Sequence, residues 1–380
     1  MKAKSSGGLL IPYVSSFIFD FTTAIVGLAL PIYAYTLGAS SLYIGLISTS
    51  GGVAYTLTAV FFGRLSDRVN RKALLLTASV LMTLVTFSYA LIREYPTLLL
   101  LSAVQGFALG IFWPNIEGFI VRHANPSRPN SAIQGFTISW SLGWIVGPPF
   151  SVFLVANFSA IYAFYAASIL FFSSIIILIA LPRDHPPPPT DGSQGRELGR
   201  LWSHLKALAL AYGVAFYYAF SLRTQNSLFP AYGLVLGFDP LVIGVITCFV
   251  GLMRTVTFVL TGALERHITG SGLFLGPALI AVSMALLVIG RDPWHFALAC
   301  AVLGLGSGIS YFSSIFTVLG ESSNDLGLRV GLFEGTIGFG SIFGPFLGGL
   351  ASGFDIRFPF ALAGCICVPI ILYAGAERFK

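Results

Sequence analysis

The chain has 380 residues, of which 56% are hydrophobic and only 9% are charged, and its formal net charge at pH 7 is +6. A soluble domain of this length needs a charged exterior, so this composition excludes an ordinary water-soluble globule. The basic residues are not interleaved with exposed aromatics in a soluble region, which argues against nucleic-acid binding. We therefore expect a protein of the lipid bilayer with no nucleic-acid partner.

Apolar runs long enough to cross a bilayer recur along the whole chain, separated by short polar turns. These runs predict an all-α membrane protein with twelve transmembrane helices. In chain order the predicted helices lie at 9–36, 43–62, 73–93, 96–121, 131–155, 159–181, 204–232, 240–262, 272–290, 294–319, 328–353 and 357–375.

The second half of the chain repeats the first about 199 residues later. The segment from Pro31 to Gly38 reappears, with shared proline, tyrosine, leucine and glycine positions, from Pro230 to Gly237. Two similar apolar halves place a pocket where they face each other, and rocking one half against the other opens it to alternate sides of the membrane. The repeat is therefore typical of a secondary transporter.

The predicted helices divide into two pseudo-symmetric six-helix bundles, residues 1–181 and 204–380. Residues 182–203 between them are polar and contain a tract of four prolines followed by a Gly/Ser-rich run. Such a composition is typical of an extended, flexible spacer. We expect this segment to be a cytoplasmic linker.

The distribution of lysine and arginine predicts the orientation in the membrane. With a cytoplasmic N-terminus, the inner turns and tails hold sixteen of these residues, and the outer turns hold three, Arg93, Arg291 and Arg357. We therefore expect both termini in the cytoplasm and a multi-pass location in the plasma or inner cell membrane.

A dense cluster of charge occupies the turn between the second and third predicted helices. It combines Gly63, Asp67, Arg68, Arg71 and Lys72. The turn closely resembles the signature loop of the major facilitator superfamily, Gly-x-x-x-Asp-Arg-x-Gly-Arg-Arg/Lys. The twelve predicted helices, the two halves and the central linker extend this resemblance over the whole chain.

The resemblance implies a conformational switch in this turn. It places Asp67 against the N-terminal end of the eleventh predicted helix when the transporter is open outward, where the helix dipole stabilises a carboxylate. Asn70 stands where the family usually has glycine. We expect this change to be mild, because asparagine tolerates a left-handed turn better than most residues.

Two helices carry a Gly-x-x-x-Gly-Pro pattern, which lets helices approach closely in lipid. In the superfamily this pattern on the fifth helix is associated with antiporters that export their substrates, so the resemblance implies export; generic helix packing is the alternative. The residues concerned are Gly143, Gly147 and Pro148 in the fifth predicted helix and Gly340, Gly344 and Pro345 in the eleventh.

Of the charged residues inside predicted helices, five are notable, because a charge near the bilayer centre is costly unless it is paired or hydrated. They are Asp20, Glu117, Arg223, Arg254 and Glu334. The three acids are candidates for proton coupling, and Asp20 comes first because it alone lies near the middle of a span. The two arginines are candidates for the substrate cavity, and an ion pair with Asp20 is their alternative role.

Polar amides and aromatic rings near these charges are further candidates for the cavity, because an amide that faces lipid is unfavourable. The candidates are Asn115, Gln225, Asn226, Trp113, Trp140, Tyr217 and Tyr311, with Trp144 and Tyr218 close by. A second departure from the family is Ser102, which stands where the pattern Arg-x-x-Gln-Gly has an arginine that is implicated in proton handling.

The sequence therefore predicts a secondary active transporter that exports amphipathic small molecules in exchange for protons. One alternative is a proton- or ion-coupled symporter that takes up an organic solute, including an anionic one. Another is a lipid flippase or a non-transporting membrane sensor. We expect no enzymatic activity, no cofactor, no metal and a monomer in the bilayer. The sequence does not identify the substrate.

Overall fold

The computed structural model describes residues 9–65, 69–124, 129–182, 208–320 and 326–378. The regular elements within these ranges are α-helices. In chain order they are α1 (Leu10–Thr36), α2 (Ser41–Leu65), α3 (Arg71–Leu91), α4 (Tyr95–His123), α5 (Pro129–Asn157), α6 (Ala160–Ile179), α7 (Ala209–Val235), α8 (Pro240–Ile289), α9 (Pro293–Gly320), α10 (Leu326–Ala351) and α11 (Phe358–Arg378). The predicted linker, apart from Pro182, lies outside the described residues.

The long helix α8 covers two predicted helices, 240–262 and 272–290. Its two arms pack against the same part of α9, since Gly304 lies against Val250 while Gly306 lies against Ile280. A straight helix would separate residues 250 and 280 by roughly 45 Å. The chain therefore reverses direction within α8, and the difference from the prediction is that the connection is helical.

Eight stretches of the described residues are long and apolar enough to cross a membrane, by length and composition alone, which is fewer than the twelve predicted. Helices α2, α7 and α10 are not among them, and α11 contributes only a shorter apolar stretch. Each of the first three carries polar groups into the helix, such as Ser48, Arg223 and Glu334. These side chains line an internal cavity, which explains the lower hydropathy of their helices.

The repeat in the sequence has a direct counterpart in the backbone. Gly38 and Gly237 have positive φ angles, 89° and 80°, and follow the ends of α1 and α7. The nitrogen of Gly38 donates to the carbonyl of Tyr35, and that of Gly237 donates to the carbonyl of Leu234, both at 2.9 Å. Glycine suits both positions because it adopts positive φ without a steric penalty. The first helix of each half therefore ends in the same way.

The two Gly-x-x-x-Gly-Pro patterns also make equivalent contacts. Gly143 of α5 lies against the backbone nitrogen of Phe21 in α1, and Gly340 of α10 lies against the backbone nitrogen of Phe220 in α7. Phe21 and Phe220 are themselves related by the repeat. The missing side chains let the helix axes approach, as small residues do in membrane helices.

Buried apolar side chains form two main clusters. The first is built mostly from α1 to α6 and includes Phe19, Phe112 and Phe171; the second is built mostly from α7 to α11 and includes Phe229 and Phe296. Between the halves, α2 packs on α10 and α5 packs on α8. The cavity lies between these two sets of helices.

The contact between α1 and α5 predicts the effect of adding one methyl group. A β-carbon at Gly143 would meet the backbone of Phe21, whereas one at Gly213 in α7 would meet no atom within 4 Å. Gly143→Ala should therefore destabilise the protein by about 1–3 kcal/mol, the usual cost of overpacking. Gly213→Ala should be neutral or slightly stabilising, because alanine favours the helix. Thermal unfolding of the purified proteins in detergent measures both, and equal midpoints would contradict the close approach.

Candidate functional site

A cavity of about 260 Å³ lies between the two halves of the chain. Helices α1, α2, α4 and α5 line it on one side, and α7, α8, α9 and α10 line it on the other. The five candidate charged residues, Asp20, Glu117, Arg223, Arg254 and Glu334, all line this cavity. Four further predicted residues, Asn226, Trp113, Trp140 and Tyr311, line it as well.

Arg254 on α8 forms the most buried basic group of the cavity, with an exposed fraction of 3%. Its guanidinium carbon lies 4.7 Å from the ring centre of Trp140 and 5.8 Å from that of Trp144, both on α5. Cations are attracted to the faces of aromatic rings at such distances. The indole rings of one half therefore hold a cation that belongs to the other half.

Asp20 on α1 faces this basic group. Its side chain is 6% exposed, and the strongest charge acting on it is that of Arg254, followed by that of Arg223. Among the described residues these groups form no direct ion pair, and the Oδ2 atom of Asp20 has no hydrogen-bond partner. Arg223 is exposed, so solvent reaches the cavity at its position. A hydrated cavity lowers the cost of holding these charges within the membrane.

Glu117 on α4 and Glu334 on α10 form an acidic region of the same cavity. Their negative charges repel each other across the interface between the halves. The hydroxyl of Tyr55 on α2 donates a hydrogen bond of 3.4 Å to Oε2 of Glu334. Two neighbouring carboxylates disfavour double ionisation, so a proton or a cation would relieve their repulsion.

An aromatic wall connects the basic and acidic regions. The ring centre of Trp140 lies 6.5 Å from that of Trp113 and 6.3 Å from that of Tyr311, and the rings of Tyr311 and Tyr218 are 5.9 Å apart. The charges of Glu117 and Glu334 both act on Tyr311. The cavity therefore offers charged groups of both signs joined by a continuous aromatic surface.

Three predicted cavity residues lie outside the lining. Asn115 turns back onto its own helix, where Nδ2 donates to the carbonyl of Ile111 at 2.6 Å. Gln225 is fully buried, and its Nε2 lies 3.6 Å from the sulfur of Cys300. Tyr217 is buried in the second apolar cluster. These three side chains face the interior of the helix bundle and not the cavity.

Sequence reasoning missed Tyr55, Ser48 and Ser227, which also line the cavity. The Oγ atoms of Ser48 on α2 and Ser227 on α7 are 2.7 Å apart, so they form a hydrogen bond between the halves. A signal for α2 was present in the sequence, because Ser48, Gly51 and Tyr55 recur at helical spacing in an otherwise apolar span. A stripe of small and polar residues indicates the side of a membrane helix that does not face lipid.

Only part of the predicted switch turn is described. Asp67 and Arg68 lie outside the described residues, and Gly63 belongs to the last turn of α2. Arg71 is buried next to Gly118 of α4. The Nζ atom of Lys72 donates to the carbonyl of Ile179, the last residue of α6, where a cation is favourable.

Asn70 does not adopt the left-handed conformation on which the expectation of a mild change was based. Its backbone is extended, with φ −63° and ψ 110°, and its side chain accepts a hydrogen bond of 3.1 Å from the nitrogen of Lys72. Asn70 is therefore the N-cap of α3, a position that asparagine favours because its side-chain oxygen satisfies a free N–H of the first turn.

Comparison with known proteins identifies the family of this fold. A family model for the Major Facilitator Superfamily matches residues 13–325. The chain belongs to the major facilitator superfamily. It is accordingly a multi-pass membrane transport protein and not an enzyme.

The curated relatives of this chain include resistance proteins of similar length. Quinolone resistance protein NorA of Staphylococcus aureus (strain COL) is 23% identical over 394 aligned positions, which cover 98% of this chain and 97% of NorA. Multidrug resistance protein 1 of Bacillus subtilis (strain 168) is 20% identical over 344 positions, which cover 89% of this chain and 88% of that protein.

Solved transporter structures share the fold. The nucleoside transporter NupG has a TM-score of 0.76 at 17% identity, with 98% of this chain and 99% of NupG covered. A POT family transporter in complex with a thioalcohol-conjugated peptide has a TM-score of 0.82 at 14% identity, with 98% of this chain and 96% of that chain covered. At these identities the likeness concerns the fold alone.

The contact between Ser48 and Ser227 predicts a cross-link between α2 and α7. The Oγ atoms are 2.7 Å apart, so sulfur atoms at these two positions would lie close enough to react with each other. In a background without the four native cysteines, Ser48→Cys with Ser227→Cys should form a disulfide in high yield on mild oxidation in membranes. The control pair Ser88→Cys with Ser227→Cys should not, because Ser88 lies on α3, away from α7. Thiol labelling before and after reduction measures the yield, and equal yields for the two pairs would contradict the contact.

Proposed function

We propose that the protein exports amphipathic small molecules in exchange for protons, by alternating access between two six-helix bundles, residues 1–181 and 204–380, with both termini in the cytoplasm. The observation that carries this proposal is the cavity between the halves, which is lined by acids from both halves and by two arginines from the second half. The names of the two bacterial relatives, which refer to quinolone and multidrug resistance, support the direction of transport.

Alternating access requires that each half behave as a unit. The equivalent contacts of Gly143 and Gly340 support this, since each ties the fifth helix of a half to the first. Contacts between the halves include small hydroxyl pairs, Ser48 with Ser227 and Ser141 with Thr255. Single hydrogen bonds of this kind contribute only about 0.5–1.5 kcal/mol each, so they can break and re-form during a transport cycle.

The lining of the cavity suits amphipathic molecules. Trp113, Trp140 and Tyr311 provide apolar and aromatic area, while the charged groups lie within the same space. Binding pockets that are mostly apolar, with a few placed polar groups, are typical of small-molecule sites. This argument concerns the class of substrate and leaves the individual compound open.

Asp20 is the proposed coupling carboxyl. It is buried in α1, its Oδ2 atom has no hydrogen-bond partner among the described residues, and the charges of Arg254 and Arg223 act on it. A carboxyl held in this way can exchange a proton with the cavity when the charge of its surroundings changes, for example when a substrate enters. Glu117 and Glu334 are the next candidates, because a proton would relieve their mutual repulsion.

One specific observation favours an alternative function, the uptake of an organic anion. Arg223 and Arg254 both line the cavity, and two cations suit an organic anion. An uptake symporter for such a solute would use the same cavity in the opposite direction. Inverted and right-side-out vesicles, each loaded with the same compound, separate the two directions.

The role of Asp20 predicts a separation of two transport modes. Asp20→Asn should abolish uptake driven by a proton gradient in proteoliposomes, because the amide cannot carry the proton. Exchange of the substrate down its own gradient should remain within about twofold of the parent protein. The probe is the compound that stabilises the purified protein most in a thermal-shift screen of drugs, sugars and organic acids.

Asp239→Asn is the matched control for this experiment. Asp239 caps α8 through a hydrogen bond of 2.7 Å to the nitrogen of Leu241, and asparagine also caps helices well. This variant should keep both transport modes. Gradient-driven transport that survives in Asp20→Asn would exclude Asp20 as the proton site and direct the same test to Glu117 and Glu334.

A further inference from the structure

The guanidinium of Arg254 presents an unused pair of hydrogen-bond donors. Its Nε and Nη2 atoms are buried and have no hydrogen-bond partner among the described residues. These two nitrogens lie on the same edge of the planar group, so their N–H bonds point in nearly the same direction. That edge matches the two oxygens of a carboxylate, which it binds in a bidentate manner.

Leaving this edge empty is costly for a side chain that is 3% exposed. A buried donor without a partner loses its hydration and gains no hydrogen bond in return, and the loss is larger for a charged group. Asp20, on which the charge of Arg254 acts, does not fill the edge, since both nitrogens and the Oδ2 of Asp20 are without a partner. Arg254 therefore carries two strong donors without a partner in a side chain that lines the cavity.

Aromatic rings hold this edge in place and extend away from it. Trp140 and Trp144 lie beside the guanidinium, which restricts its movement. Trp140 in turn contacts Trp113 and Tyr311, whose rings continue along the cavity. A molecule anchored at Arg254 by an anionic group would therefore place its remaining atoms against an aromatic surface.

We propose that Arg254 binds the carboxylate of an aromatic substrate through its Nε–H and Nη2–H edge, while the ring system of that substrate packs on the wall formed by Trp113, Trp140 and Tyr311. This inference rests on the proposed function in one respect, the use of this cavity for substrates. It narrows the substrate class from amphipathic molecules in general to aromatic carboxylates.

The first test compares two probes of the same shape on the unmodified protein in detergent. Naphthoate carries the carboxylate, and naphthamide replaces it with a neutral amide. Quenching of tryptophan fluorescence should show saturable binding of naphthoate and at least about tenfold weaker binding of naphthamide, because only the anion forms charge-assisted hydrogen bonds with both donors. Equal affinities, or no binding of naphthoate at millimolar concentration, would overturn the proposal without any variant.

The second test changes the edge and keeps the charge. Arg254→Lys should weaken naphthoate binding about tenfold or more, because an ammonium lacks the planar fork. Asp20→Asn should strengthen it, since it removes a negative charge that acts on Arg254. Arg291→Lys, in the exposed turn before α9, is the matched control and should leave the affinity unchanged. Naphthoate affinity that is the same in Arg254→Lys and in the parent protein would also overturn the proposal.

These measurements separate the inference from the proposed function. They record binding in detergent without any ion gradient, so a failure of proton-driven export would leave them intact. Conversely, export that proceeds normally in Arg254→Lys, together with unchanged naphthoate binding, would remove the carboxylate site and leave the exporter assignment standing.

Discussion

The burial of charge between two helical halves is the constraint on which the rest of this structure depends. A charged side chain at the centre of a bilayer costs several kcal/mol when it faces lipid. Asp20, Glu117, Arg223, Arg254 and Glu334 lie within the helices, and all of them line one cavity. Within this cavity the opposite charges attract each other, and Arg223 is exposed to solvent. Arg254 packs against the faces of aromatic rings. The need to bury these charged residues away from lipid therefore helps to explain why the helices enclose a cavity.

The scaffold around the cavity depends on small residues. Gly143 and Gly340 bring equivalent helix pairs together, and the glycines of α9 at 304, 306 and 308 lie against both arms of α8. In lipid there is no hydrophobic force between helices, so close packing must supply much of their association. Residues without bulk thus set the distances at which the charged residues face each other.

Much of the fold could be predicted from the sequence because its causes are local or periodic. The repeat predicted the equivalent ends of α1 and α7, and hydropathy gave most helix positions. The helical connection within α8 was not predicted. Polar residues at 263–271 indicate the end of an apolar span, but they do not reveal whether the backbone stays helical. The capping role of Asn70 was not predicted, because helix caps and left-handed turns favour the same residue type.

The candidate site was predictable in part for a related reason. A charge within an apolar span is conspicuous, and this signal found Asp20, Glu117, Arg223, Arg254 and Glu334. A polar residue without charge can satisfy itself locally, as Asn115 does on its own helix, so residue type alone does not reveal whether it faces the cavity. Ser48 and Tyr55 were missed because hydroxyl groups are common on membrane helices and carry little information individually.

The repeat and the charges together explain how a symmetric scaffold could perform an asymmetric task. The repeat relates Asp20 on α1 to Ala219 on α7, and both line the cavity. The packing around the two positions is equivalent, since Gly143 approaches the first and Gly340 the second. The scaffold therefore does not require a charge at either position, and the acid in the first half is an addition to it.

The position of Ser102 points the same way. Helices α2 and α4 cross so closely at this site that a β-carbon on Gly51 would lie 2.8 Å from the Oγ of Ser102. A small side chain suits this crossing, and the arginine that the family pattern has there is absent. If the transport cycle moves protons, the acids in the cavity must bind and release them. Of these, Asp20 is the one that faces the arginine proposed to hold the substrate, so substrate and proton would compete for the same positive field.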